Sequence, residues 1–292
     1  MAARRWVIAL TLIPLLAVPA VSAVPAQAES ATARYVALGD SFTSGPLIPV
    51  QYGTPLGCLR STNNYPALLA RRLNPGTFVD VSCGGADTAD MTSAQDVTPG
   101  TNPPQFNALT ADTTLVTLGI GGNDVGYTGI FETCAALSFS NPFGAPCKAR
   151  FGTELEQRIA AAAPKIAAVL EGIGQRAPQA QVVVVGYLRL LPSGRGCWPV
   201  VPVSWGDVPY LDGVERSLND MLADQARQHG ATFVDTYAGG DGHDMCAAPT
   251  QKWVEGLVPT SLAAPIHPNA AGMRVVADRV RAAVGAPVSA DR

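Results

Sequence analysis

The sequence predicts an α/β fold in which helices cover both faces of a mostly parallel sheet. Two observations support this. Short apolar runs without polar alternation are typical of strands buried on both faces, and they alternate along the chain with longer segments of helical periodicity. The predicted strands cover residues 34–38, 78–82, 113–118, 181–187 and 232–235. This alternation favours a three-layer α/β/α sandwich.

The predicted helices follow from periodicity and from residues that suit helix ends. They cover residues 65–73, 154–176, 211–229 and 268–284. Asn63 or Asn64 is placed to cap the first of them, because an asparagine side chain can accept from the unpaired N–H groups there. Pro268 would be the first residue of the last one, where a missing N–H costs nothing.

Three long segments, residues 125–152, 188–209 and 237–266, are rich in glycine and proline and are predicted as loops. They contain four of the six cysteines. Loops of this length are usually functional or disordered, and disulfides favour order. We therefore expect these segments to form the walls of a substrate site.

The N-terminus has the features of a secretory signal peptide. Two arginines within Met1–Arg5 precede the uncharged apolar run Trp6–Val24, and Ala26-Gln27-Ala28 resembles a cleavage site. A membrane anchor is the alternative, but prolines interrupt the apolar run. We expect cleavage after residue 28, which leaves residues 29–292 as a single secreted domain.

Charge and composition exclude two classes of partner. The formal net charge is −3 without charge runs, and aromatic residues make up 7% of the chain, so no basic surface for nucleic acid is predicted. No stretch after the signal peptide is long and apolar enough for stable membrane insertion. We expect a soluble monomer that meets a small-molecule or lipid substrate.

The cysteines number six, all in the part predicted to be exported. An even number in an oxidising compartment favours disulfides, although composition leaves their connectivity open. Proximity in sequence favours the pairs Cys58–Cys83, Cys134–Cys147 and Cys197–Cys246. The alternative is a metal site, but the chain has no C-x-x-C motif and only His243 lies at ligand spacing from a cysteine, Cys246. We predict neither a metal nor a cofactor.

The first predicted strand runs into Gly39-Asp40-Ser41, a sharp turn of small and polar residues. A serine at this position can expose its hydroxyl at the carboxyl edge of the sheet, where ligands bind in such folds. Its own N–H can point at a developing oxyanion. Ser41 is therefore a candidate nucleophile. The alternative is that Asp40 and Ser41 only cap the next helix.

The next two predicted strands end near Gly85 and Asn123. In a parallel sheet their ends share the edge with Ser41. The glycine N–H and the asparagine amide can then join the serine N–H as donors to an oxyanion. Taken singly, Gly85 could be a simple turn glycine and Asn123 an Asx-turn residue.

A serine nucleophile needs a base, and the chain has three histidines. His229 precedes a glycine at a predicted helix C-terminus, where a structural role is expected. His243 lies in a predicted loop and is the alternative candidate for lining the site. His267 ends a loop immediately before the last helix, a position from which its ring can reach across the sheet edge. We therefore predict His267 as the base.

These residues form four motif blocks in a fixed order. The blocks are Gly39–Gly45, Gly85, Gly121–Asp124 and His267–Asn269. They resemble the four blocks of the SGNH hydrolases, also called GDSL esterases and lipases, over residues 34–284. The cysteines are similar to those of secreted actinobacterial members with three disulfides.

The resemblance implies a flavodoxin-like sheet, no cofactor, and a role for each block. Ser41 would be the nucleophile and His267 the general acid and base. Gly85 and Asn123 would be oxyanion donors together with the Ser41 N–H.

The chain departs from the family at one position. The family commonly has aspartate three residues before the histidine, and here that residue is Ala264. We therefore expect a Ser41–His267 dyad oriented by a backbone carbonyl, that of Ala264 rather than that of Pro265. The competing hypothesis is a carboxylate from another part of the chain. Its candidates are Asp241, Asp244 and Glu255.

The predicted function is a secreted hydrolase of carboxylic acyl esters, with lipids and phospholipids as candidate substrates. It would act through an acyl-enzyme on Ser41. One alternative is a carbohydrate esterase that removes acetyl groups. A second is a non-catalytic binding module on the same fold, which the complete set of motif residues disfavours.

Overall fold

A computed structural model describes residues 33–285 and contains a parallel sheet of five strands. The strands are β1 (Arg34–Gly39), β2 (Thr77–Asp80), β3 (Thr113–Gly119), β4 (Gln181–Val185) and β5 (Thr232–Val234). Their order is β2-β1-β3-β4-β5, and every neighbouring pair is parallel. This is the flavodoxin-like order, whose switch point lies between β1 and β3. The predicted sheet is confirmed.

Helices pack against this sheet in pairs. They are α1 (Ser41–Ser44), α2 (Tyr65–Leu73), α3 (Gly122–Val125), α4 (Tyr127–Ser138), α5 (Pro146–Phe151), α6 (Glu154–Arg176), α7 (Val208–Gln228) and α8 (Ala270–Val284). Helix α2 packs on α8, and α6 packs on α7. The two pairs and the sheet between them form the predicted three-layer sandwich.

The start of the last helix differs from the prediction. Helix α8 begins at Ala270, and Asn269 is its N-cap, with a side chain that accepts from the N–H groups of Ala271 and Gly272. Pro268 therefore lies before the cap and forms an isolated bridge with Val254. Placing Pro268 at the first helical position was wrong, because the asparagine side chain satisfies the free N–H groups one residue later.

The segment 125–152 is not the loop that its composition suggested. It contains α4 and α5, and Pro146 occupies the first position of α5. Here proline starts a helix, which composition does not distinguish from breaking one. Residues 188–207 and most of 237–266 contain neither helix nor strand, as predicted.

The three predicted disulfides are confirmed. They join Cys58 to Cys83, Cys134 to Cys147, and Cys197 to Cys246. The second links α4 to α5, and the third links the two long loops. The walls around the sheet edge are therefore covalently fixed.

The carboxyl ends of β1 and β3 approach each other closely at Gly39. A side chain there would place its Cβ 2.4 Å from the Gly119 carbonyl oxygen and 2.4 Å from Thr43 Oγ1, and the φ angle of Gly39 is +148°. Only glycine fits this space and this backbone conformation. The contact fixes where the chain leaves β1 and so where Ser41 lies.

Within residues 33–285, no helix has the length and apolar character needed to cross a membrane. The same residues contain no cluster of three or more His, Cys, Asp or Glu side chains arranged for a metal ion. The predicted signal peptide lies outside the described residues.

Candidate active site

Ser41 is the first residue of the short helix α1, directly after the end of β1. Asp40 caps this helix, since its Oδ1 accepts from the Phe42 N–H at 2.8 Å. Both interpretations of the motif therefore hold: Asp40 is the cap, and Ser41 lines a cavity at the sheet edge. Burial raises the pKa of Asp40 to about 7, although hydrogen bonds from Tyr187 and Phe42 oppose the shift.

His267 contacts Ser41 directly. Its Nε2 lies 2.8 Å from Ser41 Oγ, and its Nδ1 lies 2.7 Å from the carbonyl oxygen of Pro265. A carbonyl can only accept, so Nδ1 carries the proton and Nε2 presents its lone pair to the serine hydroxyl. Burial lowers the pKa of His267, although the Pro265 hydrogen bond opposes the shift. The ring is therefore neutral at pH 7 and able to accept a proton.

The predicted carbonyl of Ala264 is corrected to that of Pro265. The Ala264 N–H donates to the Pro46 carbonyl at 3.0 Å, which attaches this residue to the opposite loop. Ile266 has a φ of +63°, in the left-handed region that a β-branched residue rarely adopts. This turn directs the Pro265 carbonyl back to the ring two residues later.

Each of the three alternative carboxylates has other partners. Glu255 accepts from Asn269 Nδ2 at 2.8 Å and from the Thr260 N–H at 2.7 Å. Asp244 accepts from the Cys246 N–H, and Asp241 pairs with Arg189. Among the described residues, no carboxylate contacts the His267 ring.

The other two histidines lie elsewhere. His229 is the C-cap of α7, and its Nδ1 lies 2.9 Å from the Gln225 carbonyl oxygen. His243 stacks on Trp253 with 4.0 Å between ring centroids. Neither lines the cavity next to Ser41, and His229 has the structural position that was predicted.

The two further motif residues lie on neighbouring turns. Asn123 follows β3 in α3, and its Nδ2 donates to the Ala86 carbonyl at 2.8 Å. Gly85, just before Ala86, has a φ of +79° in the turn after β2. That hydrogen bond uses one of the two amide hydrogens of Asn123. Asn123 lines the same cavity as Ser41, and Gly85 is not among the residues that line it.

Tyr187, two residues beyond β4, connects the first and third motif blocks. Its hydroxyl accepts from the Gly122 N–H at 2.7 Å and lies 2.5 Å from Asp40 Oδ2. Its ring packs edge-on against Phe42. The sequence predicted Tyr187 as the last residue of a strand but did not predict that its hydroxyl would contact Asp40 and Gly122. These contacts depend on the ends of three strands lying close together.

The cavity beside Ser41 is mainly apolar. Its walls come from α1, α3, α4, α7, the loop after β4 and the loop before α8. They include Phe42, Tyr127, Leu190, Leu218 and Ile266, together with the buried acid Glu215. An apolar chain bound here would place its reacting group beside Ser41 and His267.

A serine and a histidine in contact, with amide donors at the carboxyl edge of a flavodoxin-like sheet, define a hydrolase of carboxylic esters. The comparisons agree. The model of the GDSL-like lipase/acylhydrolase family matches residues 37–275. The chain belongs to this family.

Several relatives are similar over most of their length. Lipase 2 of Streptomyces coelicolor is 41% identical over 269 residues, which cover 90% of this chain and 89% of that protein. The crystal structure of phospholipase A1 from Streptomyces albidoflavus NA297 is similar with a TM-score of 0.72 at 30% identity, covering 85% of this chain and 100% of that one. The extracellular lipase of Streptomyces rimosus gives a TM-score of 0.67 at 29% identity, covering 85% and 99%.

Proposed function

We propose that the protein hydrolyses acyl esters through a Ser41–His267 dyad. Ser41 Oγ attacks the ester carbonyl while His267 Nε2 takes its proton, and the imidazolium then protonates the leaving alcohol. Water activated by the same histidine releases the acyl group and restores the serine. The observation that carries this proposal is the 2.8 Å contact between Nε2 and Oγ in a ring whose Nδ1 is held by Pro265.

The oxyanion of the tetrahedral intermediate is stabilised, in this proposal, by three donors. They are the N–H groups of Ser41 and Gly85 and the side-chain amide of Asn123. The support is that these groups follow three neighbouring strands, β1, β2 and β3, at one edge of the sheet.

The proposed substrates are lipid esters, including phospholipids. The apolar lining of the cavity favours an acyl chain, and the relatives just described are named as lipases and a phospholipase A1. The intact contact between Ser41 and His267 disfavours a non-catalytic binding module on the same fold.

Export to the extracellular space is also proposed. Residues 1–28 have the pattern of a secretory signal peptide. The described part of the chain contains three disulfides, which persist in oxidising compartments. One relative is described as extracellular.

A substrate panel tests the class of ester. The purified protein would be given p-nitrophenyl esters from acetyl to palmitoyl, phosphatidylcholine vesicles and acetylated xylan, with Ser41→Ala as the background control. We expect turnover of the p-nitrophenyl esters and release of fatty acid from the phospholipid. Release of acetate from xylan alone would instead support the carbohydrate esterase, and equal rates in Ser41→Ala would contradict the mechanism.

A further inference from the structure

Glu215 is a buried acid in the wall of the cavity that holds Ser41 and His267. It lies on the inner face of α7, and its exposed fraction is 1%. Its Oε2 accepts from the Leu190 N–H at 3.1 Å, and Leu190 lines the same cavity. Its Oε1 has no hydrogen-bond partner among the described residues. One carboxyl oxygen of a residue that lines the cavity is therefore buried without a hydrogen-bond partner among the described residues.

The charged groups around Glu215 do not pair with it. Arg189 pairs with Asp212 instead, with 3.3 Å between Nη2 and Oδ1. The Tyr237 hydroxyl donates to the same Asp212 oxygen at 2.5 Å. Burial raises the pKa of Glu215 well above its usual range. Asp212 and Asp244 add to this shift, whereas the Leu190 hydrogen bond and the Arg189 charge oppose it. Burial therefore favours the neutral carboxylic acid form of Glu215.

A neutral carboxyl group has one acceptor oxygen and one O–H donor. Because Oε2 accepts from the Leu190 N–H, it is the carbonyl oxygen, and the proton resides on Oε1. That O–H is a buried donor without an acceptor, an arrangement that costs stability unless a ligand completes it. The cavity measures about 70 Å³, several times the roughly 10–15 Å³ that one water needs, so a substrate group can enter beside it.

We propose that Glu215 forms a polar subsite in this cavity and selects esters whose acyl chain carries an acceptor oxygen, such as a hydroxyl, ether or keto oxygen, over plain alkyl esters. The inference rests on the proposed function, because it takes the cavity as the acyl site. The acyl group suits the cavity because it stays attached to Ser41, whereas the alcohol must leave for solvent. Phe42, Leu218 and Ile266 supply the apolar surface for the rest of the chain.

Matched pairs of p-nitrophenyl esters test the subsite. Each pair consists of an alkyl ester and an ester of the same length in which one methylene of the acyl chain is replaced by an ether oxygen. The position of this oxygen moves along the chain from one pair to the next, while the chain length and the leaving group stay constant. We expect one position at which the ether ester gains in kcat/KM by roughly tenfold relative to the other positions, as one added hydrogen bond provides.

Two variants of Glu215 assign this preference to its donor. Glu215→Gln keeps an N–H donor in place of the O–H and should keep the preference. Glu215→Met is apolar and of similar length, and should lose the preference, so that the ether and alkyl esters of each pair are hydrolysed with similar kcat/KM. Asp220→Asn is the control, since Asp220 is an exposed acid on the same helix that does not line the cavity. It should leave the ratio unchanged.

The wild-type series alone can overturn the proposal, so it does not depend on the folding of a variant. If the plain alkyl esters are hydrolysed and no position of the ether oxygen raises kcat/KM, the polar subsite is excluded. The proposed ester hydrolysis would still hold in that case. A preference that persists in Glu215→Met would also exclude it. Failure to hydrolyse any ester of the series would contradict the proposed function itself.

Discussion

The histidine that contacts Ser41 is held by a carbonyl group rather than by a carboxylate. The Pro265 carbonyl accepts from His267 Nδ1 at 2.7 Å and so fixes the tautomer and the orientation of the ring. A carboxylate would add a full charge beside the imidazolium, whereas a carbonyl adds a dipole only. The histidine therefore relies on geometry and burial, which favour its neutral form before reaction.

The lowered pKa of His267 predicts the pH at which kcat/KM falls on the acid side of the pH profile. Because the pKa of His267 is lowered from 6.5, the neutral and active form persists below that pH, and kcat/KM should fall only as the pH drops further. A limb with its midpoint above pH 6.5 would contradict the burial argument. Asp40, with a pKa of about 7, is the other group that titrates nearby, so the limb should remain in Asp40→Asn.

Asn123 gives a second prediction at the level of single residues. Loss of one preorganised oxyanion donor typically lowers kcat by about 10² to 10³. Asn123→Ala should show a loss of that order with KM close to wild type, measured by steady-state kinetics on one p-nitrophenyl ester. Asn107→Ala, an exposed asparagine outside the cavity, is the control. A full kcat, or a variant that no longer folds, would assign Asn123 to the turn alone.

Tyr187 holds the first and third motif blocks together, and its hydroxyl can be removed alone. Tyr187→Phe leaves the Gly122 N–H without an acceptor, so the distance between Ser41 and the donors after β3 is less strictly fixed. We expect kcat to fall about tenfold, or roughly 1.4 kcal/mol, with little change in KM. Tyr210→Phe removes a hydroxyl that bonds Gly152 away from the site and should leave kcat unchanged. Equal kinetic losses in the two variants would contradict the positioning role.

Among the elements, the loop before α8 is fixed by its own backbone and by one acid. The Glu255 N–H donates to the His267 carbonyl at 2.9 Å, and the Glu255 carbonyl accepts from the Ile266 N–H at 3.1 Å. The Glu255 side chain also binds Asn269, the cap of α8. Burial opposes ionisation, but hydrogen bonds from Asn269 and Thr260 outweigh it and lower the pKa of Glu255. This acid supports the loop and does not touch the histidine ring.

Amide substitutions separate the dyad from a triad. Removal of a true triad aspartate costs about 10⁴ in kcat, whereas Asp241→Asn, Asp244→Asn and Glu255→Gln should each keep kcat within about tenfold of wild type. Glu255→Gln should lower the free energy of unfolding by about 1–3 kcal/mol, because a donor replaces an acceptor that faces donors. Kinetics and denaturant unfolding measure the two effects. A folded variant with a 10⁴ loss would establish that residue as the third member.

The sequence predicted helices and strands well where nearby residues determine them. The buried strands depend on nearby residues and were found, and of the two predicted caps, Asn63 and Asn64, the structure has Asn64. The two helices in the segment 125–152, α4 and α5, were missed because glycine and proline occur at the ends of short helices as well as in loops. Pro268 was misplaced because Asn269 competes for the same helix end. Boundaries of this kind are decided by one or two hydrogen bonds.

Over the whole molecule, strand order explains why scattered motifs form one site. Neighbouring strands β2, β1 and β3 end at the same edge of the sheet, and the loop before α8 reaches it from the opposite end of the chain. Parallel pairing predicts that Ser41, Gly85 and Asn123 lie at one edge of the sheet, and Ser41 and Asn123 line one cavity there. The choice of Pro265 over Ala264 could not be predicted, because it depends on the turn at Ile266, whose N–H bonds to the Glu255 carbonyl outside that turn.

Two further residues, Tyr187 and Glu215, were missed for different reasons. Tyr187 acts through a distance between strand ends that the sequence does not specify. Glu215 had a detectable signal, since it is an acid among the apolar positions of α7, between Leu211 and Leu218. An acid on the inner face of an amphipathic helix is a candidate for a special role.

Covalent labelling of the nucleophile tests the proposed role of Ser41. A fluorophosphonate reacts with a serine that a neighbouring histidine activates, and peptide mapping by mass spectrometry identifies the labelled residue. We predict one adduct, on Ser41, whose formation abolishes ester hydrolysis and is absent in Ser41→Ala. An adduct on a different serine, together with continued hydrolysis by Ser41→Ala, would contradict the assignment of Ser41 as the nucleophile.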